Sequence, residues 1–337
     1  MDPDSVRTTE RVPHGGETDQ AVLDCSANVN PRTPSGIEAV YREALAESRR
    51  YPADTYPAFR RAAAEYVGCD PAAVVPTAGG LAAIRLAISV TVEPGDDVLL
   101  QAPSFGEYAR EVRLQGGNPR FVPHDTLLET EPAGCALAIV CTPNNPTGEA
   151  VDPDDVAAFA SRCKATGTTV LVDEAFLGFT SLRSAATFDR ENVIVARSLT
   201  KLFGLPGLRA GFAVATGEHG AALTTARRTW SLGTPAANVG AHCMRDDAFV
   251  TATRELIERE RERLRAGLSA LGFDVWPSDA PFVLVGCDDP DAILERAREN
   301  GLVFRDARTF RRLDSHVRIA VRDHETTDRV LEVLADG

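Results

Sequence analysis

A chain of 337 residues, 44% hydrophobic and 25% charged, is long enough for one large core or for two domains sharing an interface. Its formal charge of -13 argues against nucleic acid or an anionic membrane as partner, and no stretch reaches the roughly 18 uninterrupted apolar residues of a membrane span. The polar, acidic start Met1-Asp2-Pro3-Asp4 points to a cytoplasmic protein, and seven scattered cysteines without C-x-x-C spacing signal reduced core thiols rather than a disulfide framework or a zinc site.

Residues 1–36 are mostly polar, show no helix-turn-helix pattern and read as an N-terminal arm contributing to the site and to a smaller domain. From residue 37 to 235 short apolar runs alternate with amphipathic stretches, the pattern of βαβ units around a mostly parallel sheet. A strand at Val75 runs into the glycine turn Ala78-Gly79-Gly80 and a helix over Gly80–Val90. Further strands are expected at Val98–Leu100, Arg120–Val122, Ala136–Cys141, Thr169–Val172, Val193–Ala196 and Gly211–Ala215. Helices are expected at Phe105–Leu114 and Pro153–Ala165, the latter with Asp152 as cap and Pro153 in its first turn. Residues 236–337 read as a smaller α+β domain. It starts with a charged helix over Ala248–Leu271, then strands at Phe282–Val285, Leu302–Arg305 and Val317–Val321, with helices at Asp291–Asn300 and Glu325–Ala335. The mixed charges of Arg254–Arg265 match a solvated helix face and receive no function.

Of 36 basic residues only two are lysines, Lys164 and Lys201, and this scarcity gives Lys201 its weight. Arginine with excess acid suggests a halophilic host, with a GC-rich genome as the plainer source of the same bias. Only a primary amine can lose its proton and condense with an aldehyde, whereas guanidinium stays charged. Ser198 stands three residues before Lys201 and Arg209 eight after, a hydroxyl and a fork donor suited to a phosphate. The turn at Ala78-Gly79-Gly80 aims backbone N–H groups at an anion, although many such turns merely join a strand to a helix. Asn145, in Thr142-Pro143-Asn144-Asn145-Pro146-Thr147-Gly148, follows a strand's carboxyl end, where α/β ligands bind. Asp173, in Asp173-Glu174-Ala175-Phe176, ends an apolar strand, where a cationic partner would stabilise it.

Taken in this order, the segments resemble fold-type I pyridoxal-phosphate enzymes of the class I/II aminotransferase family, across essentially the whole chain. The resemblance implies an α/β/α sandwich with a mostly parallel sheet plus a smaller α+β domain, and pyridoxal 5'-phosphate as cofactor. It implies that Lys201 forms the Schiff base with the cofactor and later shuttles a proton, that Asp173 pairs with the ring nitrogen and that Asn145 donates to the phenolic oxygen. Phe105 would stack on the ring. Ala78, Gly79, Gly80, Ser198 and Arg209 would hold the phosphate. Tyr51, in Arg50-Tyr51-Pro52, is similar to the tyrosine that reaches the cofactor of the partner subunit, which implies a homodimer. Phe176 replaces the tyrosine usual in the family and removes one donor from the phenolic oxygen.

His14-Gly15-Gly16 and Leu23-Asp24-Cys25-Ser26-Ala27-Asn28-Val29-Asn30-Pro31 resemble the threonine-phosphate decarboxylase branch, which makes aminopropanol phosphate for cobalamin. Phe105-Gly106-Glu107-Tyr108, Arg197–Lys201 and Pro206–Arg209 continue the likeness, while Glu17 and Gly80 depart from it. The substrate would be a small phosphorylated amino acid. Arg318 would bind its carboxylate, Arg305 its phosphate, and Arg322, His14 and Asn28 are further candidates. Transamination, as in histidinol-phosphate aminotransferases, remains the alternative, and a non-catalytic pyridoxal-phosphate sensor domain a remote one.

Overall fold

The computed structural model describes residues 1–335. In chain order it begins with helix Pro3–Thr8 (α1), capped by Asp2 through Ser5 N–H at 2.7 Å, and a short strand Leu23–Asp24 (β1). Helices Ile37–Glu47 (α2) and Pro57–Val67 (α3) follow, then strand Val74–Thr77 (β2) and helix Gly80–Thr91 (α4). Next come Asp97–Ala102 (β3), Glu107–Leu114 (α5), Asn118–Pro123 (β4), Cys135–Cys141 (β5) and Pro153–Ala165 (α6). Strands Thr169–Asp173 (β6), Val193–Ser198 (β7) and Gly211–Val214 (β8) are followed by helices Gly217–Ala226 (α7), Thr234–Cys243 (α8) and Asp247–Ala270 (α9). The last elements are Asp274–Val275 (β9), Phe282–Gly286 (β10), Pro290–Glu299 (α10), Leu302–Val303 (β11), Arg305–Asp306 (β12), His316–Ala320 (β13) and His324–Ala335 (α11).

Seven strands form the main sheet in the order β2-β8-β7-β6-β5-β3-β4, parallel except where β8 runs against β2 and β7. Side chains alternate between its two faces. Leu99, Ala138, Val140, Val170, Val172 and Val195 pack with α3, α6 and α8, whereas Val98, Leu100, Leu137, Ile139, Leu171 and Ile194 pack with α4, α5 and α7. Both faces are covered at the centre of the sheet, so β3, β5, β6 and β7 read as near-continuous apolar runs, while the edge strand β4 is largely exposed. Each fully buried Val, Leu or Ile contributes about 1.5–3 kcal/mol relative to exposure. This is the α/β architecture expected from the sequence.

A second, antiparallel sheet has the order β12-β13-β10-β9, and β1 of the arm pairs in parallel with β11. The expected strand Leu302–Arg305 is therefore two strands. Leu302 and Val303 pair with Leu23 and Asp24, and Arg305 pairs with Arg318, with buried Phe304 between them. The helix expected from Phe105 starts at Glu107, because Phe105 and Gly106 belong to the turn leaving β3. Helix α8 straddles residue 235 and packs on α2 and α3. On α9 the charged run is only partly solvated: Glu260 is buried where α11 packs, with Arg263, Arg259 and His324 around its carboxylate, and Arg261 is buried toward Ala280 O at 3.4 Å. The seven cysteines are all free and five are buried. Among the described residues no helix is long and apolar enough to cross a membrane.

Candidate active site

The carboxyl ends of β3, β5, β6 and β7 converge on a cavity of about 280 Å³, closed from above by β12, β13 and the N-terminal arm. Parallel strands deliver their loops to one side, which is where α/β folds assemble polar groups. Phe105 comes from the loop after β3, Asn145 from the loop after β5, Asp173 from the end of β6, and Ser198 and Lys201 from the end of β7. These residues line one wall together with Gly80, Phe176 and Arg209.

Lys201 is held low, at about 8 rather than 10.5, first by burial and then by the neighbouring charges of Arg318 and Arg209. Its amine therefore loses a proton far more readily than an exposed lysine would. Asp173 is moved in the opposite sense: burial raises its carboxyl to about 6, against the Tyr108 hydroxyl, which donates to Oδ2 at 2.5 Å, and Ala175 N–H, which donates to Oδ1 at 3.0 Å. The adjacent Glu174 faces away into a buried pair with Arg197 at 3.0 Å, supported by Ser184 and Ala185 N–H. Asn145 accepts from Arg318 through Oδ1, which orients its amide with the NH₂ as the remaining donor. Phe176 packs edge-on against Phe282 with centroids 5.2 Å apart, filling its position with apolar area.

At the other end of the cavity the chain makes close backbone contacts. Gly79 has φ 94°, and a Cβ there would meet the Arg209 guanidinium at 2.7 Å. A Cβ on Gly211 of β8 would meet Gly79 C and Gly80 N at 2.6 and 2.7 Å. Small residues thus let β8 and the Arg209 side chain close on the turn that opens α4, where unpaired N–H groups and a positive dipole end accumulate. Ser198 Oγ lies 2.9 Å from Thr200 Oγ1, and Arg209 donates to Pro206 O at 3.0 Å. Ala78 and Gly79 form the turn without lining the cavity.

The roof carries the remaining cations. Arg318 on β13 is fully enclosed, donates to Ser26 O at 2.7 Å, and lies over the rings of Phe282 and Phe310. Burial and the charge of Arg305 pull it down to about 9. Arg305 on β12, its partner in register, donates to Pro13 O at 2.7 Å and Thr309 Oγ1 at 2.8 Å, and burial lowers it also. His14 sits at the rim, Nε2 at 2.9 Å from Glu107 Oε1, with its ring near Phe105. Asn28 lines the cavity and its Oδ1 is buried without a partner, as is Arg318 Nε. Besides Ala78 and Gly79, two further expected residues lie away from the cavity. Arg322 lies beyond the end of β13 and donates to Asp24 O at 3.3 Å, and Tyr51 stacks on Trp230 at 4.2 Å, 77% exposed.

Sequence reasoning missed three side chains that shape this site: Tyr108, Glu107 and Phe310. Tyr108 and Glu107 open α5 right after Phe105, and that adjacency was the available signal.

The donor set fits pyridoxal phosphate. A buried amine of lowered pKa, a buried carboxylate facing no cation of its own, an orphaned Asn28 oxygen and a glycine cradle beside Arg209 and Ser198 match an aldehyde, a pyridinium and a phosphate.

Residues 20–334 match the family model for aminotransferase class I and II. Histidinol-phosphate aminotransferase 2 of Archaeoglobus fulgidus is 31% identical over 328 residues, covering 94% of each chain. A relative from Caldanaerobacter subterraneus subsp. tengcongensis, named provisionally as a threonine-phosphate decarboxylase, is 28% identical over 91% of this chain and 88% of its own. The solved histidinol-phosphate aminotransferase of Sinorhizobium meliloti, in complex with pyridoxal-5'-phosphate, superposes with a TM-score of 0.84 at 22% identity over 92% of this chain and 89% of that one. By the extent of these matches and the site that underlies them, the chain belongs to the class I and II aminotransferase family of pyridoxal-phosphate enzymes.

Proposed function

We propose that this enzyme decarboxylates L-threonine O-3-phosphate to (R)-1-aminopropan-2-ol O-phosphate, as a cytoplasmic homodimer serving cobalamin biosynthesis. The observation that carries the reading is the pair Arg305 and Arg318, in register on adjacent strands and both facing the cavity, with no carboxylate bridging either among the described residues. A buried guanidinium, Arg318, and a half-buried one, Arg305, repel one another side by side, and a ligand with two acidic groups offsets that cost. L-Threonine O-3-phosphate carries a carboxylate and a phosphate two bonds of carbon skeleton apart. Histidinol phosphate carries a single acidic group, so the pair distinguishes the two amine substrates; 2-oxoglutarate, the acceptor that transamination needs, carries two.

Lys201, Asp173, Asn145, Phe105, Ser198, Arg209 and the turn Ala78-Gly79-Gly80 would hold pyridoxal phosphate, which supplies an electron sink conjugated to the substrate's Cα. Arg318 and Arg305 fix the substrate's two acidic groups, and so fix which bond at Cα is presented for cleavage. Lys201, with its lowered pKa, carries the proton that replaces the departing carboxylate at Cα. His14 and Asn28 close the cavity around the phosphate end. Tyr51, exposed and stacked on Trp230, is read as the reach toward the partner subunit's cofactor, and a mass near 36.1 kDa by light scattering would remove the dimer.

A second reading, transamination of histidinol phosphate, is favoured by the Archaeoglobus fulgidus relative, similar along nearly the whole chain. One experiment separates the two. Purified protein with pyridoxal phosphate and L-threonine O-3-phosphate, without any keto acid, should release CO₂ and aminopropanol phosphate. Turnover that appears only with 2-oxoglutarate would sink the decarboxylase reading. Arg318→Gln should lower kcat/KM by about 30-fold or more, because the substrate's carboxylate loses its buried partner.

A further inference from the structure

Tyr108 lies in the first turn of α5, 1% exposed, edge-on to Phe105 with centroids 5.5 Å apart. It belongs to the apolar cluster that includes Ile84, Val112, Leu137 and Ile139, in which phenylalanine would pack equally well. A hydroxyl in such a place is costly unless it finds a partner, and this one finds Asp173 Oδ2 at 2.5 Å. We infer that Tyr108 is a positioning residue that keeps the Asp173 carboxylate ionised and aimed, so that this acid can keep the cofactor's ring nitrogen protonated. The inference rests on Asp173 facing that nitrogen, as proposed above, and is independent of the substrate.

The groups facing Asp173 are few, and each of the others is accounted for. Cys141 approaches from the end of β5, and burial pushes its thiol up so that it stays neutral. Glu174 and Arg197 hold each other at 3.0 Å, so Arg197 has little charge to spare for its neighbour. Burial first, and then the charge of Glu174, drive the Asp173 carboxyl toward its neutral form, and the Tyr108 hydroxyl is the largest opposing influence, ahead of Ala175 N–H. A neutral Asp173 could not balance a pyridinium. A donor 65 residues away in sequence therefore sets the charge of the acid on which the electron sink depends.

The test reads the cofactor rather than turnover. Apo-protein is loaded with ¹⁵N-labelled pyridoxal phosphate, and the ring-nitrogen shift and the dissociation constant are followed from about pH 6 to about pH 9. Wild type should hold the protonated signal, whereas Tyr108→Phe should move it toward the unprotonated position and weaken cofactor binding by about tenfold or more. Asp173→Asn should lose the protonated signal outright, and adding Tyr108→Phe to it should change nothing further. A Tyr108→Phe signal and dissociation constant superimposable on wild type, with Asp173→Asn shifted, overturn the inference while leaving Asp173 in place. A protonated signal in Asp173→Asn overturns both. As a check that needs no loss of packing, 3,5-difluorotyrosine at position 108 donates more strongly and should lower the Asp173 carboxyl midpoint in apo-protein. An unmoved midpoint there also counts against it.

Discussion

Lys201 has one chemical feature that a solution experiment can isolate. Its amine is protonated below about pH 8 and free above, because burial, Arg318 and Arg209 all disfavour the charge. Capture of pyridoxal phosphate by apo-protein needs the free amine, so its rate should climb as pH rises toward 8 and then level off. Stopped-flow absorbance measures this, and a rate still climbing through the ordinary lysine midpoint of 10.5 would contradict it. Borohydride should fix the cofactor to Lys201 and leave Lys164 unlabelled. At this scale the sequence was legible wherever chemistry restricts residue type. Only lysine condenses with an aldehyde, and Lys201, Asp173, Asn145, Phe105 and Ser198 do share one cavity. Tyr108 was not legible, since a tyrosine in the first turn of an amphipathic helix reads as packing until β6 is placed beside it. Arg322 and Arg318 look alike on paper, four residues apart near one strand, but only Arg318 falls within β13 and faces the cavity.

Among the elements, the contact between β8 and the turn opening α4 tolerates the least change. Gly211→Ala would press a methyl into Arg197 O and the Gly79–Gly80 peptide at 2.6–2.7 Å, all backbone atoms that cannot swing away. The expected cost is about 2 kcal/mol or more in apo-protein stability, with cofactor affinity falling alongside because the phosphate cradle is displaced. Gly207→Ala, with nothing within 4 Å of its Cβ, should stay within about 0.5 kcal/mol. Thermal and denaturant unfolding of the two variants should diverge, and equal losses would show that the close approach is not what limits this site. Helix α6 was readable to the residue, because Asp152 accepts from Asp154 N–H and Pro153 fills the first turn. The break at Phe304 was not, since the run Leu302–Asp306 serves two partners distant in sequence, Leu23–Asp24 and β13. Burial of Glu260 was likewise hidden, because it depends on α11 lying against α9.

For the whole molecule, composition set the class and the order of elements set the fold, but the arrangement of charge came only from three dimensions. The whole chain sums to a formal charge of -13, yet Lys201, Arg209, Arg305 and Arg318 line one cavity with no ion-pair partner of their own among the described residues. An approaching phosphate thus meets two fields of opposite sign at different ranges. At about 0.01 M salt the repulsion of the acidic exterior extends some 30 Å, whereas at about 0.15 M it fades within about 8 Å and leaves the cavity's attraction dominant at close approach. Association of anionic ligands should therefore accelerate as salt is raised between those values. A steady decline in the measured on-rate would show that the cavity's field dominates at every distance. The cations around Lys201 act as a short-range funnel in a repelling exterior, so that ionic strength governs how fast the enzyme fills.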